Sequence, residues 1–378
     1  MISVHVGAPD PAMSEHFDAL ARRAAPNVFM HPAALGAVAT AGFAQIHVLQ
    51  AWAGDGAARK LVGFWALRER RIAPFWPRFL TSPPYDYAFV SSPVIDPDVA
   101  DAVMPAFLDA IANERKLPKV IKLKLLDADA ATYRPMMAAL TARRARVLKL
   151  AESARPFLSG ESDRKRSGST AKKLRQDWNR LSALGAADVA NDRTPAGACA
   201  AFEIFLDLEL RSWKGASGTA LLSHDEDAEF VRLFIANLSR RGCASVALLR
   251  VDGRPVAAQV LLYSGAMAYT WKTAFDAEFA KFSPGALLID KVTDSLFAGG
   301  IAQFESCATE DSFMAQLWTG RRMTVDLLAD VGSERSVNFA IAVFGERAYA
   351  YLRELRDRLR AAHWLPAPRR KNLAVTRG

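Results

Sequence analysis

The alternation of apolar and polar positions is most regular in the C-terminal half of the chain. Three apolar stretches, 243–251, 254–263 and 266–274, are separated by Asp252-Gly253 and Ser264-Gly265. Two-residue turns of these types close β-hairpins, so the pattern predicts a three-stranded meander. Helical spacing precedes it over 196–213 and 225–241, and Gly242 follows the second run where a helix end favours glycine. After the meander the pattern predicts a helix over 284–297, a strand over 301–307, a short helix over 311–318 and a strand over 323–328.

The N-terminal half repeats this order more faintly. It predicts a helix at 33–40, strands at 45–52 and 61–67, and an extended segment at 72–80. A helix at 99–115, a strand at 119–126, a helix at 130–143 and a strand at 146–150 follow. Two halves with one order of elements point to a structural duplication, 1–155 and 156–332, followed by a C-terminal helix at 333–365 and a basic tail at 366–378. Between the halves, residues 164–180 carry seven basic side chains against the single acid Asp177. Leu174, Trp178 and Leu181 recur at helical spacing there, which predicts a connecting helix, within 164–184, with one apolar stripe and a basic opposite face. That face could meet RNA, DNA or acidic lipid, or be a solvated surface of a helix packed across the domains.

With 378 residues, 51% of them hydrophobic, the chain is globular and long enough for two domains. Its net charge of +9 favours anionic partners without choosing among them. Cys199, Cys243 and Cys307 lie far apart, which excludes a disulfide framework or zinc ribbon and fits a reducing compartment. No secretory pattern opens the chain, and the longest run free of Asp, Glu, Lys, Arg and His, 255–271, is too short to span a bilayer; the expected location is cytoplasmic. The six histidines form no H-x-x-x-H pair, so no metal site is expected. Walker, dinucleotide, zincin and nucleophile-elbow motifs are absent.

The leading candidate for chemistry is Lys281-Phe282-Ser283-Pro284-Gly285-Ala286, which joins the meander to a helix. First-turn amides of a helix lack internal acceptors, and glycine lets a phosphate approach the backbone. The same residues also read as an ordinary helix start, with Ser283 as N-cap and Pro284 in the first position. The matching stretch of the first half, 92–98, has no glycine and carries Asp96 and Asp98, which would repel a pyrophosphate. Glu209 shares a helix face with Phe202, Phe205, Leu206 and Trp213. A carboxylate there is expected to have a raised pKa, suited to proton transfer, or to be a hydrogen-bonded structural group near Lys214-Gly215. Trp213-Lys214-Gly215 and Gly218-Thr219 read as a loop over a site or a plain helix end. Small residues beside Lys272 leave room for a ligand or a close helix. Asp276, Glu278, Glu305 and Asp311 fall near strand ends, and Cys307 reads as a small core residue or a reactive thiol.

In order, Arg155-Pro156-Phe157-Leu158, Lys172-Lys173-Leu174-Arg175 leading to Leu181 and Gly185, Glu209 with Trp213-Lys214-Gly215 and Gly218-Thr219, Trp271-Lys272 with Asp276, and Ser283-Pro284-Gly285 resemble the CelD/BcsL-type acetyltransferases. That bacterial group of the GNAT superfamily is named for a link to cellulose biosynthesis. The resemblance spans 29–328, its specific motifs 155–318. It implies an α/β fold with a mixed sheet, built as two tandem GNAT-like domains joined by the basic helix, similar to the FemAB-type aminoacyl transferases of peptidoglycan synthesis.

It also implies transfer of an acyl group from acetyl-CoA or another acyl-CoA to an amine or hydroxyl, with no metal. Lys281, Phe282, Ser283, Pro284, Gly285 and Ala286 would hold the pyrophosphate, and Glu209, or else Asp276 or Glu305, would accept the proton. Trp213, Lys214, Gly218, Thr219, Trp271, Lys272, Asp311 and Trp318 would line an acceptor site, for a sugar-type or other small molecule. The chain departs from the Q/R-x-x-G-x-G/A loop by lacking the second glycine spacing, and 311–318 offers Ser312 instead of a tyrosine. Two alternatives stay open: an aminoacyl-tRNA donor met by 164–180, and a non-catalytic scaffold whose basic helix docks an envelope-synthesis partner or membrane.

Overall fold

The computed structural model describes residues 2–56, 59–71, 73, 76–165, 168–332 and 336–361. The first half runs β1 (Ile2–Gly7), α1 (Ser14–Ala21), α2 (Pro32–Thr40), β2 (Ile46–Ala53), β3 (Lys60–Arg70), β4 (Phe79–Ser82) and β5 (Val94–Ile95). It closes with α3 (Ala100–Asn113), β6 (Val120–Asp127), α4 (Tyr133–Ala142) and β7 (Arg146–Leu158). The second half begins with α5 (Gly168–Ser182), β8 (Ala187–Asp192), α6 (Pro195–Arg211), α7 (Trp213–Ala216) and α8 (Asp225–Arg240). The meander β9 (Ala244–Val251), β10 (Arg254–Ser264) and β11 (Met267–Phe275) leads to α9 (Pro284–Ala298), β12 (Gln303–Glu305), α10 (Met314–Leu317), β13 (Arg321–Asp330) and α11 (Val337–Ala361).

The turn chemistry of the meander is as the residues dictate. Asp252 and Gly253 both take positive φ, 48° and 77°, the geometry whose twist matches the flanking strands. At the end of α8, Gly242 has φ 67° and the Cys243 amide returns to the Leu238 carbonyl at 2.9 Å. Leu174, Trp178 and Leu181 pack the apolar stripe of α5 against α9 and the meander, as the spacing predicts. Two short edge strands, β1 and β8, and the helix α1 were not foreseen. Of the expected segment 72–80, residues 72 and 74–75 lie outside the described residues, as does the basic tail.

One mixed sheet joins everything, in the order β1-β2-β3-β4-β6-β13-β7-β12-β11-β10-β9-β8, with β5 beside β3. The last strand of the second half, β13, is inserted between β6 and β7 of the first. β7 in turn pairs with β13 over residues 146–156 and with β12 at Phe157 and Leu158, so it runs unbroken across the boundary expected at 155/156. Each half therefore borrows a strand edge from the other. On one side of the second-half sheet, α6 and α8 share a core with the first half, where Phe43 stacks on Phe230 at 4.5 Å and the Tyr269 hydroxyl donates to the Pro26 carbonyl at 2.9 Å. On the other side α5 and α9 cover a second core. Among the described residues no helix is long and apolar enough to cross a membrane.

At the seam of the halves lies a buried ionic group. Glu305, fully buried at the end of β12, accepts from Arg322 of β13 at 3.0 Å and lies 3.5 Å from Arg155 of β7. Arg322 also pairs with Asp127 of β6 at 3.2 Å. Removing one partner of a buried ion pair leaves a charge without water or counterion. Arg322→Met is therefore expected to destabilise the protein by about 3–5 kcal/mol in urea titrations; a change within error of wild type would show that the seam does not depend on it.

Candidate active site

In the second half, the parallel pair β11 and β12 is short. Met267, Ala268 and Tyr269 lie opposite Gln303, Phe304 and Glu305, after which β11 continues to Phe275 while the other chain turns aside at Ser306 and Cys307. The two strands part above Glu305, and the Thr270 hydroxyl bridges the apex to the Ser306 carbonyl at 3.1 Å. On its other edge β11 carries a bulge: Val260 faces Lys272 and Leu261 faces Thr270, leaving Trp271 as the extra residue. The bulge breaks the alternation, so that Trp271 and Ala274 join the core under α8 while Thr273 lies against α9.

On the α6 side, Glu209 is buried and both its oxygens are engaged. Oε1 accepts from Lys214 Nζ at 2.8 Å, and Oε2 accepts from the Leu221 amide at 2.9 Å. The loop that brings Lys214 back is wound tightly: Thr219 N–H and the Ser217 hydroxyl both donate to the Lys214 carbonyl, at 2.8 and 3.0 Å. Gly215 is required there, because a Cβ would sit 1.7 Å from the Leu210 carbonyl oxygen. Lys214 also reaches the Thr273 carbonyl on β11 at 3.4 Å.

Lys272 completes the group, its ammonium 4.7 Å from the Tyr87 ring and 5.5 Å from the Trp271 ring. Burial pushes its pKa down to about 8; Lys214 adds to the fall, while Glu209 and Asp227 oppose it. The Glu209 pKa corrects the expectation from its apolar face. Burial raises it, but Lys272, Lys214 and the Leu221 amide outweigh burial and hold the carboxyl below its ordinary range. Sequence patterning sees the apolar face and not the two cations.

Tyr87 was not foreseen. It belongs to the first half, adopts φ 74°, hydrogen-bonds Asp227 of α8 through its hydroxyl, and accepts from the Trp271 indole through its carbonyl at 2.8 Å. Burial and these neighbouring carboxylates push its phenol pKa up. Its segment lies beyond the parallel pairing of β4 and β6, where the Ser91 amide meets the Leu125 carbonyl at 3.3 Å and the Ser92 hydroxyl accepts from the Asp127 amide at 3.2 Å. The first half thus closes its own strand gap with residues 85–92 and sends Tyr87 to the second. Asp96 pairs with Arg23 at 2.5 Å and caps the Asp98 amide.

Across β11 from Lys272 stands the start of α9. Gly285 is buried, and a Cβ there would lie 3.2 Å from Thr273 Cγ2. Ser283 is at the N-cap with φ 52°, but its hydroxyl bonds no helix amide and instead accepts from Lys173 of α5 at 2.7 Å. The Ala286 and Leu287 amides turn to the Ser283 carbonyl, and none of these bonds uses the Gly285 amide. Lys281 and Arg180 each lie over the buried Phe282 ring, so cations surround this helix start. Ala286 packs against the core below.

The remaining candidates fall elsewhere. Asp276 pairs with Arg254 at 2.6 Å and caps the Glu278 amide, and although burial raises its pKa these contacts hold it below the usual range. Glu305 is sealed between two arginines. Asp311 accepts from the Thr309 hydroxyl in an exposed turn, and Trp318 is buried beside Phe304. Trp213 opens α7 half in solvent, and Gly218 turns the loop with φ 68°. Cys307 is buried, and burial with the nearby Glu305 pushes its thiol pKa far up. No group of three or more histidine, cysteine or acidic side chains suited to a metal occurs among the described residues.

Two interlocked halves that each carry a short parallel pair, parted in the second half between a helix start and a buried acid–lysine group, define a tandem GNAT-like α/β fold. Residues 168–313 match the model of the acetyltransferase (GNAT) domain family. No curated protein matches the chain. Among solved structures, FemX is similar with a TM-score of 0.59 at 13% identity, covering 86% of this chain and 96% of that one. The C-terminal domain of a putative lysylphosphatidylglycerol synthetase from Agrobacterium fabrum is similar at 0.54 and 14% identity, covering 89% and 96%. L-PGS from Bacillus licheniformis is similar at 0.50 and 15% identity, covering 90% and 97%. At these identities the likeness is one of fold.

Because the Glu209 carboxylate favours the charged form of Lys272, Glu209→Gln is expected to lower the Lys272 pKa further below about 8. Side-chain NMR through a pH titration, with Lys272→Arg identifying the resonance, measures this. An unchanged or higher pKa would separate the two groups.

Proposed function

We propose that the protein is an acyltransferase that moves an acyl group from an acyl-CoA to an amine or hydroxyl, with Lys272 as the proton acceptor. The observation that carries this reading is the parting of β11 from β12, with the cationic start of α9 on one face of β11 and Lys272 on the other. Gly285, Ser283, Lys281 and Lys173 suit a pyrophosphate: a glycine at close approach, an undeployed cap and two ammonium groups. The donor supplies an activated thioester carbonyl.

The work of the chain is proton transfer and orientation. Neutral Lys272 takes the proton as the acceptor nitrogen or oxygen attacks, the Glu209 carboxylate stabilises the lysinium formed, and that proton is available to the departing thiolate. Glu209 is thus better suited to holding charge than to accepting the proton, since both its oxygens are engaged. Trp213, Lys214, Trp271 and Tyr87 border the space for the acceptor. The CelD/BcsL resemblance supports a polysaccharide or envelope setting with a sugar-type acceptor. A second reading, an aminoacyl-tRNA donor, is favoured by one observation: Lys173 and Arg180 of α5 stand at the helix start where a nucleic-acid backbone could also lie.

Calorimetric titration with acetyl-CoA and longer acyl-CoAs tests the donor, with Gly285→Asp as the control. Saturable binding is expected, weakened at least about tenfold by a side chain and negative charge at that helix start. Absence of binding by every thioester would remove the reading, and steeply salt-dependent binding of aminoacyl-tRNA would replace it.

With a turned-over acceptor, the rate is expected to rise through an apparent pKa near 8 as Lys272 loses its proton. Lys272→Met should lower kcat by about 10²–10⁴-fold and abolish that limb. A limb that survives the substitution assigns the base elsewhere.

A further inference from the structure

Two lysines stand beside Glu209, and their surroundings differ. Lys214 is tied: its ammonium donates to Glu209 Oε1 at 2.8 Å and reaches the Thr273 carbonyl at 3.4 Å. Lys272 is not. Its nitrogen meets the Tyr87 and Trp271 rings at 4.7 and 5.5 Å, and among the described residues it has no hydrogen-bond acceptor. Both Glu209 oxygens are already taken, by Lys214 and by the Leu221 amide. The carboxylate therefore acts on Lys272 only through its field, and a neutral Lys272 keeps its lone pair unshared.

The place of Lys272 on β11 matters equally. β11 loses β12 as a neighbour after Tyr269, and the Thr270 hydroxyl spans the apex to the Ser306 carbonyl at 3.1 Å. Lys272 is the second residue beyond that apex, on the stretch of β11 whose edge is open. An amine held there is a nucleophile as well as a base. Burial lowers its pKa to about 8, so at neutral pH it is uncharged far more often than an exposed lysine, whose pKa is about 10.4. The acylated product also suits the place. An acyl-lysine is neutral and flat, lies against two aromatic rings without a counterion, and leaves Glu209 its bond to Lys214.

We propose that Lys272 is a self-acylation site: when no acceptor is bound, its amine takes the acyl group from the thioester donor and the site is closed. This rests on the acyl-CoA reading of the donor. The nitrogen lone pair attacks the thioester carbonyl, the carbon–nitrogen bond forms and the carbon–sulfur bond breaks. One proton leaves the nitrogen and the departing thiolate takes it, so an amide and a free thiol result and no other reactant is needed. The amide nitrogen no longer takes up a proton. Each acylation thus removes one site from turnover, and a bound acceptor protects against it.

Incubation of the full chain with acetyl-CoA alone, followed by intact mass measurement and peptide mapping, tests this, with calorimetry reporting donor binding by the same preparation. One acetyl group per chain is expected on Lys272, forming at least about tenfold faster than on the exposed Lys116 and Lys172 at neutral pH. Its rate should climb with pH and level off above about 8, whereas the exposed lysines keep climbing toward their higher pKa. Lys272→Arg, which stays charged, should carry no acetyl group at that position. The wild-type labelling decides the matter even if this variant fails to fold. Donor binding with Lys272 unlabelled, or labelled no faster than the exposed lysines, overturns the inference and leaves the donor reading standing. Neither binding nor labelling overturns both.

Discussion

A carboxylate sealed from water has to be matched by positive charge, and the way Glu305 is matched ties the two halves together. Its arginines come from β7 and β13, the strands that each half lends to the other, and Arg322 carries the contact on to Asp127 of β6. Four strands must be in register for the charges to meet. Such a group adds little net stability over a well-packed apolar cluster, because desolvation offsets most of the attraction. What it supplies is discrimination: a β13 shifted by one residue would turn Arg322 to the opposite face and leave Glu305 buried alone.

The same carboxylate sits where the site begins. β12 ends at Glu305, and its chain turns away there, held by the Cys307 amide on Oε1 at 3.1 Å, so the strand cannot follow β11 further. The gap between the strands is therefore a consequence of the ionic seam below it. Above the apex, the bulge at Trp271 sends consecutive residues of β11 to different neighbours, with Lys272 toward Glu209 and Thr273 toward α9. A regular strand would keep Trp271 with Met267 and Tyr269 in the aromatic core but would turn Lys272 to the opposite face, away from Glu209. The bulge sets the ammonium beside its aromatic cover.

What the sequence made legible was local. The meander turns, the helix end at Gly242, the stripe of α5 and the placing of Lys281 to Ala286 at a helix start all depend on residues within a turn or two of one another. What it hid depends on distant partners. Glu209 has an apolar face in sequence, yet its protonation is governed by Lys214 and Lys272, one a loop away and the other on β11. Glu305 was rightly placed at a strand end, but its arginines lie 150 residues before and 17 after it. Tyr87 is one of three alternating aromatics, Tyr85, Tyr87 and Phe89, with nothing to set it apart from the other two; its positive φ is imposed by tertiary contacts. The alternation Ile2, Val4, Val6 did carry the signal for β1, at a length where a terminal strand is easily passed over.

The inequality of the halves also has a physical basis. Both contain a short parallel pair that could open, but the first fills its gap with residues 85–92, whose backbone and serine hydroxyls pair with β6. A gap closed in this way cannot take a ligand, and the aspartates where a phosphate would lie remove any selection for one. The filled segment then becomes a rigid arm. Anchored on β6, it holds Tyr87 in a strained backbone conformation against Lys272 and Asp227, where a free loop would relax. The first half is thus the support that keeps an aromatic wall over a half-buried lysine, and burial beneath that wall is what lowers the lysine pKa to about 8.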